Sequence, residues 1–184
     1  ATFLPESKSE EVYEKVEYTT SKLSYAATIF GSENDLPIMT PSYNVSSASS
    51  YAAWYTKPYF ATKMLKSLLG EELFRKATQT YIERWKGKHP LPYDFFFTYE
   101  NVAEQDLSWF WNAWYFGNDY VDLAVKNVSQ YPDKVVVEIE NKGKMPVTIN
   151  LQLGLQDGTL IPASRNIDIW KDGSSTVKIE FKTN

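Results

Sequence analysis

The apolar spacing of this chain changes period once, at Gly117-Asn118-Asp119, and that change limits the possible folds more than any other feature. Before it, apolar residues recur every three or four positions, as in helices buried on one face. After it, Val147, Ile149, Leu151, Leu153 and Leu155 alternate with polar residues or glycine, the period of a half-buried strand. Val135/Val137/Ile139 and Val177/Ile179/Phe181 alternate likewise, with a shorter Ile167/Ile169 pair and Leu123-Ala124-Val125. Turns are expected at Asn141-Lys142-Gly143, Asp157-Gly158 and Lys171-Asp172-Gly173. The spacing predicts an α+β chain of two domains, all-α over residues 1–117 and antiparallel β over 118–184. About six strands are expected at the spacing of an immunoglobulin-like β-sandwich. Such a sandwich typically has seven, so this domain is expected to be truncated at its end.

Five helices are expected in the first part. Ser9-Glu10-Glu11 leads into a stripe of Val12, Val16, Leu23, Ala26 and Phe30 that ends at Gly31. Residues 31–50 read as a loop, with Leu36, Ile38 and Met39 as a short pinned segment within it. Ala61, Met64, Leu65, Leu68 and Leu69 then form an amphipathic helix closed by Gly70, and Glu71-Glu72 opens the next, which carries Phe74, Ala77, Tyr81 and Trp85 on one face. Gly87 closes it. Pro92 suits the first turn of a helix running to about Ala103, with Asp94 placed to accept from its free amides. Asp106 starts a short aromatic helix through Trp109, Phe110, Trp111, Trp114 and Tyr115, read as core and interdomain packing.

Tyr51, Tyr55 and Tyr59 sit four apart, so one continuous helix would place their rings on one side. Pro58 complicates this, because proline lacks a donor and disfavours helical dihedrals in its predecessor. The helix therefore begins near Lys57 or is kinked there, and either reading puts Tyr55 at a helix entrance.

Composition excludes several functions. The net charge of −4 and the absence of a basic run argue against nucleic acid. No apolar stretch approaches the ~20 residues of a membrane helix. Without cysteine there is no thiolate chemistry and no sulfur ligand. The single histidine, His89, lies in a Lys-His-Pro turn and is expected to make a structural hydrogen bond. A catalytic zinc site needs three protein ligands, and His-Glu-x-x-His is absent, so no metal ligand is assigned in this chain. No Gly-x-Ser-x-Gly turn or glycine-rich phosphate loop occurs either. The chain starts at Ala1 with no leader pattern, which reads as a processed chain or a piece of a longer one.

The ordered residues Tyr55-x-Lys57, Met64-Leu65-Lys66 and Gly70-Glu71-Glu72-Leu73-Phe74 resemble a segment of the aminopeptidase N and leukotriene A-hydrolase family of zinc metallopeptidases, the gluzincins. Further on, Tyr81, Arg84-Trp85, Lys88-His89-Pro90, Pro92, Asp94-Phe95 and Asp106-Leu107-Ser108-Trp109-Phe110-Trp111 are similar to a bacterial branch of that family. The resemblance covers roughly residues 51–125.

It implies that residues 1–117 are the all-α half of a metallopeptidase catalytic domain and that residues 118–184 are the β-sandwich that commonly follows. The parent would be a zinc aminopeptidase acting on peptides, its zinc ligands and amino-terminus-recognising strand contributed by an upstream half. The chain alone would then hold no zinc and have no turnover. In this family a tyrosine hydroxyl helps to hold the tetrahedral oxyanion, and Tyr55 occupies that tyrosine's place; a phenol suits the role as a neutral donor at working pH. Pro58 departs from the glycine common there in the animal enzymes, which leaves the aim of the hydroxyl open. The rival reading is a non-enzymatic binding module, or pseudo-peptidase, recognising a protein or glycan through its aromatic face. Relatives in this bacterial branch are often exported; compartment, oligomeric state and substrate side-chain preference are not legible in the residues.

Overall fold

The computed structural model describes residues 20–183, with side chains from Tyr25 onward. It is a mixed fold of helices followed by antiparallel sheets. Helix α1 spans Thr20–Ile29, and the stripe expected over residues 12–19 lies outside the described residues. Gly31 ends it with φ of 80°. The pinned segment is present as expected: the Met39 amide donates to the Tyr115 carbonyl at 3.0 Å, and Ile38 and Met39 pack against the core.

The loop is shorter than residues 31–50, because helix starts at α2, Ser47–Tyr51. The Ser46 hydroxyl accepts from the Ser49 amide, as an N-cap should. The serine-rich approach that reads as loop is therefore a cap and a first turn. A π turn, Ala52–Thr56, continues it without a break and leads into α3, Lys57–Leu69. The helix thus neither begins at Lys57 nor leaves Tyr55 at its entrance. It takes up Pro58 through a widened turn, in which the Lys57 amide donates to the Ala52 carbonyl five residues back. Widening relieves the clash that a proline ring makes with the carbonyl four residues earlier in an α-helix.

Helix α3 buries Ala61 and Leu65 and stops at Gly70, whose φ of 77° is open to glycine at no steric cost. Helix α4, Glu71–Trp85, starts on its two glutamates. Helix α5, Pro92–Ala103, has the expected start: Asp94 Oδ2 accepts from the Leu91 amide at 2.7 Å. Helix α6, Ser108–Trp111, begins where the Asp106 carboxylate accepts from the Ser108 amide at 2.8 Å, and it runs into a second π turn, Asn112–Phe116.

The β part has five strands: β1 Leu123–Gln130, β2 Lys134–Asn141, β3 Ile149–Gly154, β4 Leu160–Arg165 and β5 Thr176–Lys182. They form one sheet in the order β1-β2-β5 and a second of β3-β4, all pairs antiparallel. Two expectations change. Ile167–Trp170 is a 3-10 turn, not a strand, because Asn166 accepts from the Ile167 amide and drops Ile167 and Trp170 into the core. Strand β4 escapes the alternation pattern because Pro162 interrupts it, yet β4 pairs on one side only, where a proline costs no ladder bond.

One apolar cluster runs from Ala61 and Leu65 through Phe96, Tyr99, Phe110, Trp111 and Trp114 to Val137, Ile149, Ile167 and Ile179. The aromatic helix is core, as expected. Polar links also join the two parts. Asn166 Nδ2 donates to the Ser67 carbonyl at 2.8 Å, and Trp114 Nε1 donates to the Pro146 carbonyl.

Candidate functional site

Tyr55 stands on the π turn with 64% of its surface exposed. Its ring stacks on Tyr51 at 5.5 Å between centroids, and Tyr51 in turn meets the edge of Tyr25 at 5.4 Å. The 31–50 segment does not cover it. Tyr51 and Tyr55 share a side, as four-residue spacing predicts. Tyr59 turns elsewhere, with the edge of Phe60 at 5.4 Å and the Lys63 ammonium over its ring. The π turn explains the divergence, since one added residue in a turn rotates the rest of the helix by ~100°.

The opposite side of the same turn is dry. Lys57 is fully buried, and its ammonium lies 2.5 Å from Asp35 Oδ1. It also donates to the Leu36 carbonyl at 3.1 Å and sits 5.8 Å from the centre of the Phe30 ring. Asp35 Oδ2 accepts from the Gly31 amide at 2.9 Å, closing the turn after α1. The Oδ1 contact is ionic and close without being a well-directed hydrogen bond. Removing one partner of such a buried pair typically costs about 3–5 kcal/mol, because the other charge is left unpaired.

Sequence reasoning placed Lys57 in the Tyr-x-Lys motif and missed Asp35. A signal existed. Lys57, Ala61 and Leu65 are four apart, and a cation on a buried stripe calls for an anion; Asp35 is the acid in the otherwise apolar run Asp35-Leu36-Pro37-Ile38-Met39.

Tyr43, Tyr51, Trp54 and Tyr55 are large aromatics left exposed on residues 43–55, Tyr43 at 85%. Two shallow grooves elsewhere, one along β3 and β4 and one between Trp109, Pro146 and Trp170, include no residue of the Tyr55 turn.

Zinc does not fit the residues present. Among the described residues no group of three or more His, Cys, Asp or Glu could hold a metal ion. His89 is exposed in its turn and has no hydrogen-bond partner among the described residues, contrary to the structural bond expected of it. Burial pushes the Tyr115 and Tyr99 phenols up, Tyr99 against an opposing hydrogen bond with Thr78. These are core tyrosines of a different kind from the solvent-facing Tyr55.

The α+β fold is one that known proteins share. Residues 6–114 match the family model described as the peptidase family M1 domain. The match spans more than half of the 184 residues, and the chain belongs to peptidase family M1. Among solved structures, that of Legionella pneumophila aminopeptidase A in complex with aspartic acid is similar over 74% of this chain, with a TM-score of 0.53 and 20% identity. That likeness concerns the fold alone. The chain corresponds to 16% of the length of the Legionella protein. No curated protein sequence matches it.

Proposed function

We propose that this chain is part of an aminopeptidase that releases amino-terminal residues from peptides, and that Tyr55 donates a hydrogen bond to the carbonyl oxygen as it gains charge. In this reading residues 1–117 are the helical part of the catalytic domain, and residues 118–184 form an immunoglobulin-like sandwich. The nucleophile, the zinc of this family and the groups that grip the substrate's amino end come from elsewhere in the complete protein. The observation that carries the reading is the exposed Tyr55 ring on a turn whose other side is anchored in the core. An ordinary packing tyrosine would be covered. The exposed stack of Tyr51 on Tyr55 suits contact with peptide and with the remainder of the enzyme.

Tyr55→Phe in the complete peptidase tests the assignment. The variant keeps the ring and its stack on Tyr51. Loss of one such donor typically lowers turnover by ~10²–10³. The expected result is that fall in kcat with stability unchanged, whereas Tyr51→Phe and Tyr59→Phe stay near wild type. If Tyr55→Phe kept kcat within about threefold, well short of a donor's usual contribution, Tyr55 would have no part in the chemistry.

A further inference from the structure

We infer that Lys57 and Asp35 are a positioning pair for Tyr55, fixing the rotation of the helix that presents its hydroxyl; this rests on the reading of Tyr55 given above. Residues two apart on a helix lie roughly 200° apart, so whatever holds Lys57 inward holds Tyr55 outward. The Lys57 ammonium has three different partners, namely Asp35 Oδ1, the Leu36 carbonyl and the Phe30 ring face. All three come from residues 30–36, a segment closed on itself by the Gly31–Asp35 hydrogen bond.

An apolar side chain at position 57 could slide along an apolar wall with little change in energy. A buried ammonium with fixed partners cannot, because any rotation that breaks its contacts strands two charges. The location matters as well. Pro58 removes one amide donor next to the π turn, so the helix has one backbone donor fewer close to where Tyr55 departs from it. The ion pair clamps the residue between those two features. Lys57 and Asp35 touch no substrate in this account and act only through the tyrosine.

A kinetic cycle in the complete peptidase tests the pair, using an aminoacyl anilide as substrate. Lys57→Met with Asp35→Asn replaces both charges by neutral side chains of similar size, and the amide oxygen at 35 can still accept from Gly31. This double variant is expected to fold, with kcat lowered about 10- to 100-fold, as a small misplacement of a reacting group allows, and KM within about twofold. In a Tyr55→Phe background the same two substitutions should lower kcat by less than about twofold, because there is no hydroxyl left to misplace.

If the losses multiply in full, the pair acts independently of Tyr55 and the inference is overturned. A rise in KM with kcat intact overturns it too. A Tyr55→Phe enzyme of wild-type kcat would instead remove the proposed role of Tyr55 itself, a distinct result. Should the double variant fail to fold, Asp35→Glu, which keeps both charges and changes only their spacing, carries the same cycle.

Discussion

Trp114 donates its indole N–H to the Pro146 carbonyl at 3.0 Å inside the core, so one side chain of the second π turn ties the helices to the β2–β3 connection. Trp109, one turn earlier, also has a buried Nε1, but that nitrogen has no hydrogen-bond partner among the described residues. The two indoles therefore predict opposite outcomes. Trp114→Phe should lose about 2–4 kcal/mol, from a stranded carbonyl and a residual cavity. Trp109→Phe removes an unsatisfied donor and should cost less than about 1 kcal/mol. Urea unfolding of both variants checks the difference, and equal losses would show that hydrogen bonding does not separate them.

Gly143 is the tightest point in the β part. A Cβ there would lie 2.0 Å from the Tyr120 carbonyl oxygen, a backbone atom that cannot swing aside. The same short stretch carries the Tyr120 amide bond to the Gly143 carbonyl and the Met145 amide bond to the Tyr120 carbonyl. Gly143→Ala should therefore destabilise the chain by several kcal/mol, through displaced backbone pairing, on the order of a core defect. A thermal melt within experimental error of wild type would contradict the close approach.

The Asp106 carboxylate at the start of α6 predicts how stability depends on pH. Its carboxylate accepts from the Ser108 hydroxyl and the Ser108 amide, and these bonds hold its pKa below the ordinary 3.8. A carboxyl whose folded pKa is lowered stabilises the fold fully above its unfolded value, and that contribution is lost as pH falls through the folded value. Asp106→Asn keeps an acceptor for Ser108 and abolishes the titration. Melts from about pH 2 to 7 should show the variant losing less stability than wild type below about pH 4, with little difference at neutrality. Parallel acid limbs would refute the role of the charge.

Tyr51 and Tyr55 stack in the open, and Tyr43 and Trp54 are exposed as well. Contiguous apolar patches beyond a few hundred Å² are uncommon on monomers, so the isolated chain should bind a naphthalene sulfonate dye or self-associate. Tyr43→Ser with Trp54→Lys should suppress whichever is seen. A monomer that ignores the dye would mean that these exposed rings do not form one apolar surface.

Much of this fold was readable because side-chain period and termination signals agree. Gly70, Pro92 with Asp94, and the alternation of β2 each specify one local outcome, and the structure adopts it. The failures share a cause. Ser47–Tyr51 carries no apolar stripe, since its helix is held by the Ser46 cap and by continuity with the π turn and α3. Ile167 and Ile169 alternate as a strand would, but Asn166 and tertiary burial of Trp170 decide otherwise. For the site, Tyr55 and Lys57 were legible as a spaced motif. Asp35, twenty-two residues away, leaves no periodic trace, and only the need of a buried cation for an anion pointed to it.

The turn at Ala52–Thr56 has a further consequence. A helix with one extra residue lodged in it has two angular phases, one on either side of the insertion. Residues before the turn and residues after it cannot be projected on a single wheel, and deleting one residue there would restore a regular spiral at the expense of its aim. Everything upstream would swing by ~100° relative to the core. The stack of Tyr51 on Tyr55 would then face a different neighbour from the one it faces now. The irregularity works as an indexing step, setting which direction the Tyr51–Tyr55 stack looks while the buried face of α3 stays where the core requires it.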